Sequence, residues 1–258
     1  MINVFIDSHT HLDFRHYKDD QQQVIQRALS RDIEAMINVG ADLPSSKASL
    51  SLARRYSEIY ATVGVHPHEA SGVDGEVLKG LRELAECDEV VAIGETGLDF
   101  HYDNSPREVQ ERVFRVHIRM ARKLKLPLVV HSREADEKTL QILKEEQAEE
   151  VGGVIHCFSG PAALAEKYTQ LNFYLGLGGV ITFPQAREIR EAIPSLSLSS
   201  LLLETDAPYL TPVPHRGKRN EPSYVTHVAS ELSSLMGVLL EEVAERTTNN
   251  VRNLFNLL

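Results

Sequence analysis

His9 and His11 lie in the run Asp7-Ser8-His9-Thr10-His11-Leu12-Asp13, directly after the apolar triplet Val4-Phe5-Ile6. On an extended chain, residues i and i+2 face the same way, so both imidazoles can aim at one ion. Asp7 and Asp13 share their parity and are suited to orient the histidines from behind as hydrogen-bond acceptors rather than to bind metal. Glu95 follows a second apolar run, in Ala92-Ile93-Gly94-Glu95-Thr96-Gly97-Leu98-Asp99. A carboxylate in a semi-buried pocket is costly unless compensated. Two cations would remove that cost, because its two oxygens can bridge them. No lysine ends any of the apolar runs, so a carbamylated lysine cannot serve as the bridge, and in a binuclear site that role falls to Glu95. His131 follows Leu128-Val129-Val130 and His156 follows Val154-Ile155, giving a further pair of nitrogen ligands. Asp206 follows Leu201–Leu203 in Leu203-Glu204-Thr205-Asp206-Ala207-Pro208. It is expected to ligate metal and to accept a proton from a bridging water. Glu204 shares the parity of Asp206 and is expected to support it from behind. Such a ligand set implies metal-assisted hydrolysis.

The elements that must position these groups are eight short apolar runs: Val4–Ile6, Ala35–Val39, Ala61–Val65, Val90–Ile93, Leu128–Val130, Val154–Ile155, Phe173–Leu177 and Leu201–Leu203. Their continuous, β-branched character suits strands covered on both faces. Between them lie stretches with helical spacing, including Ser46–Tyr56, Glu76–Ala85, Val109–Met120 and Thr139–Lys144. Strand and helix alternating eight times predict an α/β fold, a single-domain (β/α)8 TIM barrel over residues 1–258, with the ligands ringed at one mouth. An open doubly wound sheet would concentrate its site at one switch point instead. The Pro- and Gly-bearing loop Pro208–Pro222 follows the last run and is expected at the functional face. The tail predicts two helices, Glu241–Arg246 and Asn250–Leu258.

With 258 residues, 42% hydrophobic and 25% charged, the chain can bury a sizeable core. Its net charge of −10 argues against a protein that coats nucleic acid. An enzyme with a locally positive cleft is not excluded, because bound cations escape a residue count. Cys87 and Cys157 lack zinc-type spacing, and strand alternation points Cys157 away from His156 into packing. A reducing, cytoplasmic setting is expected. The sequence opens straight into a strand, without a basic leader. No run approaches the ~20 apolar residues of a membrane helix.

These motifs resemble the TatD family of metal-dependent deoxyribonucleases. The strings that carry the resemblance are Asp7–Asp13, Gly94–Asp99, His131-Ser132-Arg133, His156-Cys157-Phe158-Ser159-Gly160, Glu204–Leu210 and Arg216–Pro222, and it extends to Thr248-Asn249-Asn250 and Leu254-Phe255. The resemblance implies a TIM barrel of the amidohydrolase superfamily. It also implies that His9, His11, Glu95 and Asp206 hold one metal, and Glu95, His131 and His156 the other.

Two divalent ions about 3.5–4 Å apart suit in-line phosphodiester hydrolysis. Mg2+, Mn2+ and Zn2+ all remain open, since geometry rather than composition decides among them. Arg133, two residues past His131, could fork onto a phosphoryl oxygen. His66, in Gly64-Val65-His66-Pro67-His68, is expected to contact substrate rather than metal. Arg216 and Lys218 lie in the only concentrated basic stretch and suit phosphate-backbone contacts. Tyr209, Phe100 and Tyr102 could stack a terminal base.

The leading expectation is a divalent-metal-dependent deoxyribonuclease. A concave barrel mouth admits a single-stranded or frayed end more easily than a duplex, and the resemblance implies 3′-to-5′ exonuclease action in some members. The expected nucleic acid is DNA, with RNA open. No membrane and no obligate protein partner are expected. The alternative keeps the metals and changes the bond, as in an ester or amide hydrolase such as an aminoacyl-tRNA deacylase. A non-catalytic barrel would be expected to show a broken ligand ring, and here every position is filled.

Overall fold

The computed structural model describes residues 3–257. In chain order the strands are β1 (Phe5–Thr10), β2 (Ile33–Val39), β3 (Ile59–Val63), β4 (Val90–Asp99), β5 (Leu128–Arg133), β6 (Gly153–Ile155), β7 (Phe173–Leu177) and β8 (Leu201–Leu203). Between and after them run α1 (Gln21–Leu29), α2 (Leu43–Arg55), α3 (Gly75–Ala85), α4 (Arg107–Leu124), α5 (Asp136–Glu145), α6 (Ala162–Thr169), α7 (Arg187–Ala192), α8 (Val225–Met236) and α9 (Leu240–Phe255). The strands form one sheet in the order β1-β2-β3-β4-β5-β6-β7-β8. A parallel bridge from Thr10 to Ala207 joins the end of β1 to the chain just past β8. This is the (β/α)8 barrel that the alternation of apolar runs predicts. β1, β4, β6 and β8 are buried along their whole length, as expected of strands covered on both faces.

Contacts cluster into two compact units. One comprises the described residues up to Asn38, Cys157–Thr169 and the chain from Tyr174 onward, and the other Val39–His156 with Gln170–Phe173. In the first, Phe5 pairs with Ile33 and Thr10 with Asn38, which sets β1 on β2. In the second, β4 pairs with β3 through Ala92 and Ile93. It continues along β5, where Thr96 faces Val130 and Asp99 faces Arg133.

Many element boundaries differ from expectation by a few residues, among them those of α2, β4 and the tail. α2 begins at Leu43 rather than Ser46, because Asp42 accepts from Ser45 N (2.7 Å) and Ser45 Oγ accepts from Asp42 N (2.9 Å). This reciprocal cap satisfies two orphan donors. β4 runs to Asp99 rather than Ile93. The tail is one helix, not two: α9 passes through Thr247, whose hydroxyl bonds back to Val243 O at 2.8 Å. Threonine competes with the backbone in an isolated helix, which is why the run reads as interrupted. Leu258 lies outside the described residues.

In the second unit, His117 of α4 is fully buried. Its Nε2 accepts from Val65 N (3.2 Å) and its Nδ1 donates to Val113 O (2.9 Å). Burial pushes its pKa down from 6.5 to about 4. The folded state therefore holds the neutral ring, while the unfolded chain binds a proton below about pH 6.5. This contribution is complete above the unfolded pKa and is lost as pH falls from 6.5 towards 4, by roughly 3 kcal/mol at about 1.4 kcal/mol per unit. Urea unfolding of the metal-free protein should show this loss, and His117→Gln should unfold with a visibly shallower pH dependence. Equal slopes would contradict the assignment.

Candidate metal centre

In the first unit, three bonds fix the end of β1 against β8 and the chain beyond it. Ser8 Oγ donates to Leu203 O (2.9 Å), Asp206 N to His9 O (2.9 Å), and His11 N to Ala207 O (2.8 Å). Asp7 is buried between them. It accepts from Thr205 N (2.9 Å), Thr205 Oγ1 (2.6 Å) and His9 N (3.3 Å). Burial pushes its carboxyl up to about 8, against the pull of these bonds. Asp7 thus holds the main chain that carries His9 and Asp206. Asp13 accepts from Asn38 Nδ2 (2.8 Å), while Asn38 Oδ1 takes Leu12 N (2.6 Å). Asp13 therefore also secures backbone.

This frame brings His9, His11 and Asp206 together. His9 Nε2 lies 3.2 Å from His11 Nε2, and Asp206 Oδ1 lies 3.5 Å from the latter and 3.8 Å from the former. Two ligands bound at about 2.0–2.1 Å to one tetrahedral ion stand about 3.3–3.4 Å apart. The triangle therefore has the edge lengths of a coordination polyhedron, and its nitrogen and oxygen donors suit a divalent cation. Glu204 accepts from Cys157 N at 2.7 Å, and a Cβ on Gly176 would stand 2.2 Å from its Oε2. Glycine is thus needed for the carboxylate to sit there. Cys157 has φ +50° and follows the end of β6 at Ile155. Strand alternation has stopped before it and does not set its direction, contrary to expectation.

In the second unit, Glu95 lies on β4, its N–H bonded to Gly40 O at 2.8 Å. Gly94 and Gly97 flank it with φ +152° and +139°. A Cβ would come within 2.5 Å of Val129 O at Gly94 and within 2.0 Å of His131 O at Gly97. The glycines let β4 press against β5 and carry its pairing on to Asp99. Gly97→Ala should therefore destabilise the protein by roughly 3 kcal/mol or more, from backbone strain and a clash with main-chain oxygen. Chemical unfolding measures this, and wild-type stability would show that the strands can separate cheaply.

Glu95 is buried, and three imidazoles surround its Oε1: His131 Nδ1 at 3.0 Å, His66 Nε2 at 3.5 Å and His156 Nε2 at 3.7 Å. These are again ligand-to-ligand lengths. Burial opposes the charged form of His131, yet its hydrogen bonds to the Asp99 and Glu95 carboxylates raise its pKa. Burial also opposes ionisation of Asp99. The bonds from His131, Tyr102 N and His68 outweigh it and hold the carboxyl well below the usual carboxylate range.

The residues expected to meet substrate are placed as follows. His66 sits on Glu95. Arg133 is exposed at the end of β5, its guanidinium 4.8 Å from the centre of the Tyr102 ring. Arg216 lies 3.9 Å over Phe183 and donates to Thr211 O at 3.1 Å. Lys218 is exposed, and its carbonyl accepts from Thr211 Oγ1 at 2.6 Å. Tyr102 and Tyr209 are exposed at 55% and 47%, while Arg107 stacks 4.4 Å over Phe100. Sequence reasoning assigned no role to Asp99 and left that of His68 open. His68 Nε2 lies 2.9 Å from Asp99 Oδ2. The available signal was glycine at 94 and 97, which permits β4 to continue as far as Asp99.

The family model described as TatD related DNase matches residues 6–256. A Bacillus subtilis protein named uncharacterized metal-dependent hydrolase YabD is 43% identical over 254 residues, 98% of this chain and 100% of the relative. An Erwinia tasmaniensis protein named 3′-5′ ssDNA/RNA exonuclease TatD is 38% identical over 247 residues, 93% of this chain and 95% of its own. Among solved structures, YJJV, a TatD homolog from Escherichia coli K12, superposes with a TM-score of 0.94 at 34% identity and full coverage of both chains. Among the described residues, no helix is long and apolar enough to cross a membrane.

Proposed function

Since the chain belongs to the TatD related DNase family and is a metal-dependent hydrolase, we propose that it cleaves phosphodiester bonds of nucleic acid, removing nucleotides from single-stranded or frayed 3′ ends. The observation that carries this reading is the pair of ligand clusters, His9, His11 and Asp206 in one unit and Glu95, His131 and His156 in the other. His9, His11, His131, His156 and Asp206 lie near or just beyond the carboxyl ends of strands of one sheet, and Glu95 lies within β4. We take each cluster to offer ligands to a divalent cation, His9, His11 and Asp206 in the one and Glu95, His131 and His156 in the other. Such cations supply the positive charge that phosphodiester hydrolysis needs at the attacking and leaving oxygens.

The protein's own groups have distinct tasks. Asp206 takes up the proton of the attacking water at a carboxylate oxygen. His66 and Arg133 donate hydrogen bonds to phosphoryl oxygens, Arg133 with a planar fork suited to them. Lys218 and Arg216 bring positive charge to the strand on an otherwise acidic chain. The name of the Erwinia relative supports the polarity, and the family description supports the bond.

Single-stranded oligonucleotides of DNA and RNA, labelled at the 5′ end and incubated with Mg2+, Mn2+ or Zn2+, test the reading. The expected product is a ladder shortening from the 3′ end that chelator abolishes. Internal fragments alone would refute the exonuclease action. Intact strands alongside hydrolysis of an aminoacyl ester would move the activity to the carboxylic ester.

A further inference from the structure

Asp99 ends β4 with a fully buried carboxylate that four donors surround. Its Oδ1 accepts from His101 N (3.0 Å) and Tyr102 N (2.8 Å). Its Oδ2 lies 2.9 Å from His68 Nε2 and 3.2 Å from His131 Nε2. An acid proton would have to displace a main-chain donor from Oδ1 or lie between two rings at Oδ2. The carboxylate therefore accepts throughout, and both rings present Nε2–H to it. In a neutral His131 this leaves the lone pair on Nδ1, which faces Glu95 Oε1 at 3.0 Å. Two lone pairs at that distance repel each other, and a cation held by both atoms removes the repulsion.

His66 carries the opposite assignment. Its Nδ1 accepts from His68 N at 3.1 Å. A neutral ring accepting at Nδ1 has its proton on Nε2, the atom that lies 3.5 Å from the same Glu95 oxygen. His66, Glu95 and His131 could by distance alone form one metal-binding group, but their protons divide the roles.

We propose that Asp99 is a positioning residue: it fixes His131 with Nε2–H and an Nδ1 lone pair for the cation, while the main-chain N–H of His68 fixes His66 as an Nε2–H donor to substrate oxygen. The imidazole of His68 is the second occupant of Asp99 Oδ2 and braces it against rotation. This inference rests on the metal-hydrolase reading. It adds a residue that binds neither metal nor substrate, and it gives a reason why His66, though near enough to Glu95, stays outside the ligand set.

The test uses the full chain, stripped with chelator and reloaded with Zn2+. Long-range 1H–15N spectra of the imidazole rings, assigned with single His→Gln variants, report which nitrogen carries metal and which carries hydrogen. Expected are a metal-bound Nδ1 and a protonated Nε2 on His131, and a metal-free ring protonated at Nε2 on His66. Metal on Nε2 of His131, or on His66, would overturn the proposal. Calorimetric Zn2+ binding to Asp99→Asn, nearly isosteric, is a second measurement. Its expected result is weakening by roughly 10–100-fold, with the thermal midpoint of the metal-free protein little changed. Wild-type affinity in this variant would also overturn the assignment. If the variant does not fold, the wild-type spectrum still decides. A wild-type chain that takes up no zinc would overturn both this proposal and the reading beneath it, whereas zinc on the wrong ring atom overturns this proposal alone.

Discussion

Glu95→Ala is expected to reduce metal-dependent hydrolysis on the order of 10³-fold or more. Glu95 is the only carboxylate among its cluster's proposed ligands, and three imidazole nitrogens lie within 3.7 Å of one of its oxygens. Alanine would leave only imidazoles around a cavity, with no anion from Glu95 to offset a divalent charge. Glu95→Gln should lose nearly as much while preserving the side chain's shape, which separates charge from packing. Both variants should remain folded without metal, because removing a buried carboxylate also removes its desolvation cost. The measurement is kcat with bound metal per chain. A variant with wild-type kcat and metal content would exclude Glu95 as a ligand.

Asp206→Asn is expected to lower kcat by roughly 10²–10⁴-fold, the range for loss of a positioned proton acceptor, with a smaller change in KM. The comparison is favourable because the backbone should be undisturbed. Asp206 has φ +54°, and asparagine tolerates this left-handed region. Its N–H would still reach His9 O and its carbonyl would still accept from Tyr209 N. What changes is the oxygen at 3.5 Å from His11 and 3.8 Å from His9, which loses its charge and basicity. A rise in KM at constant kcat would instead mark Asp206 as a substrate contact.

The barrel was legible in the sequence because strands buried on both faces leave continuous β-branched runs, and these need no long-range information to recognise. Their ends were less legible. Gly94 and Gly97 look like strand breakers in isolation, yet they extend β4 by removing the side chains that would strike Val129 and His131. The i, i+2 placement of His9 and His11 read directly, since both bring Nε2 atoms to one point. Asp99 did not. Its partners His68 and His131 stand 31 and 32 residues away in sequence, and only the adjacency of strand ends reveals what it holds. Asp7 and Asp13 were read as supports for imidazole rings; Asp7 also takes Thr205 N and Oγ1 and His9 N, and Asp13 also takes the Asn38 amide, partners that parity did not announce. Parity gives the side of a strand a residue occupies and does not name its partner.

The most direct test of the central claim is a metal titration of the chelator-stripped protein, following bound metal and cleavage of a labelled single strand in the same samples. The account predicts negligible cleavage without metal and a rise that saturates as two divalent cations bind per chain, with both signals lost in Glu95→Ala. Undiminished cleavage by protein shown to hold no metal would contradict it.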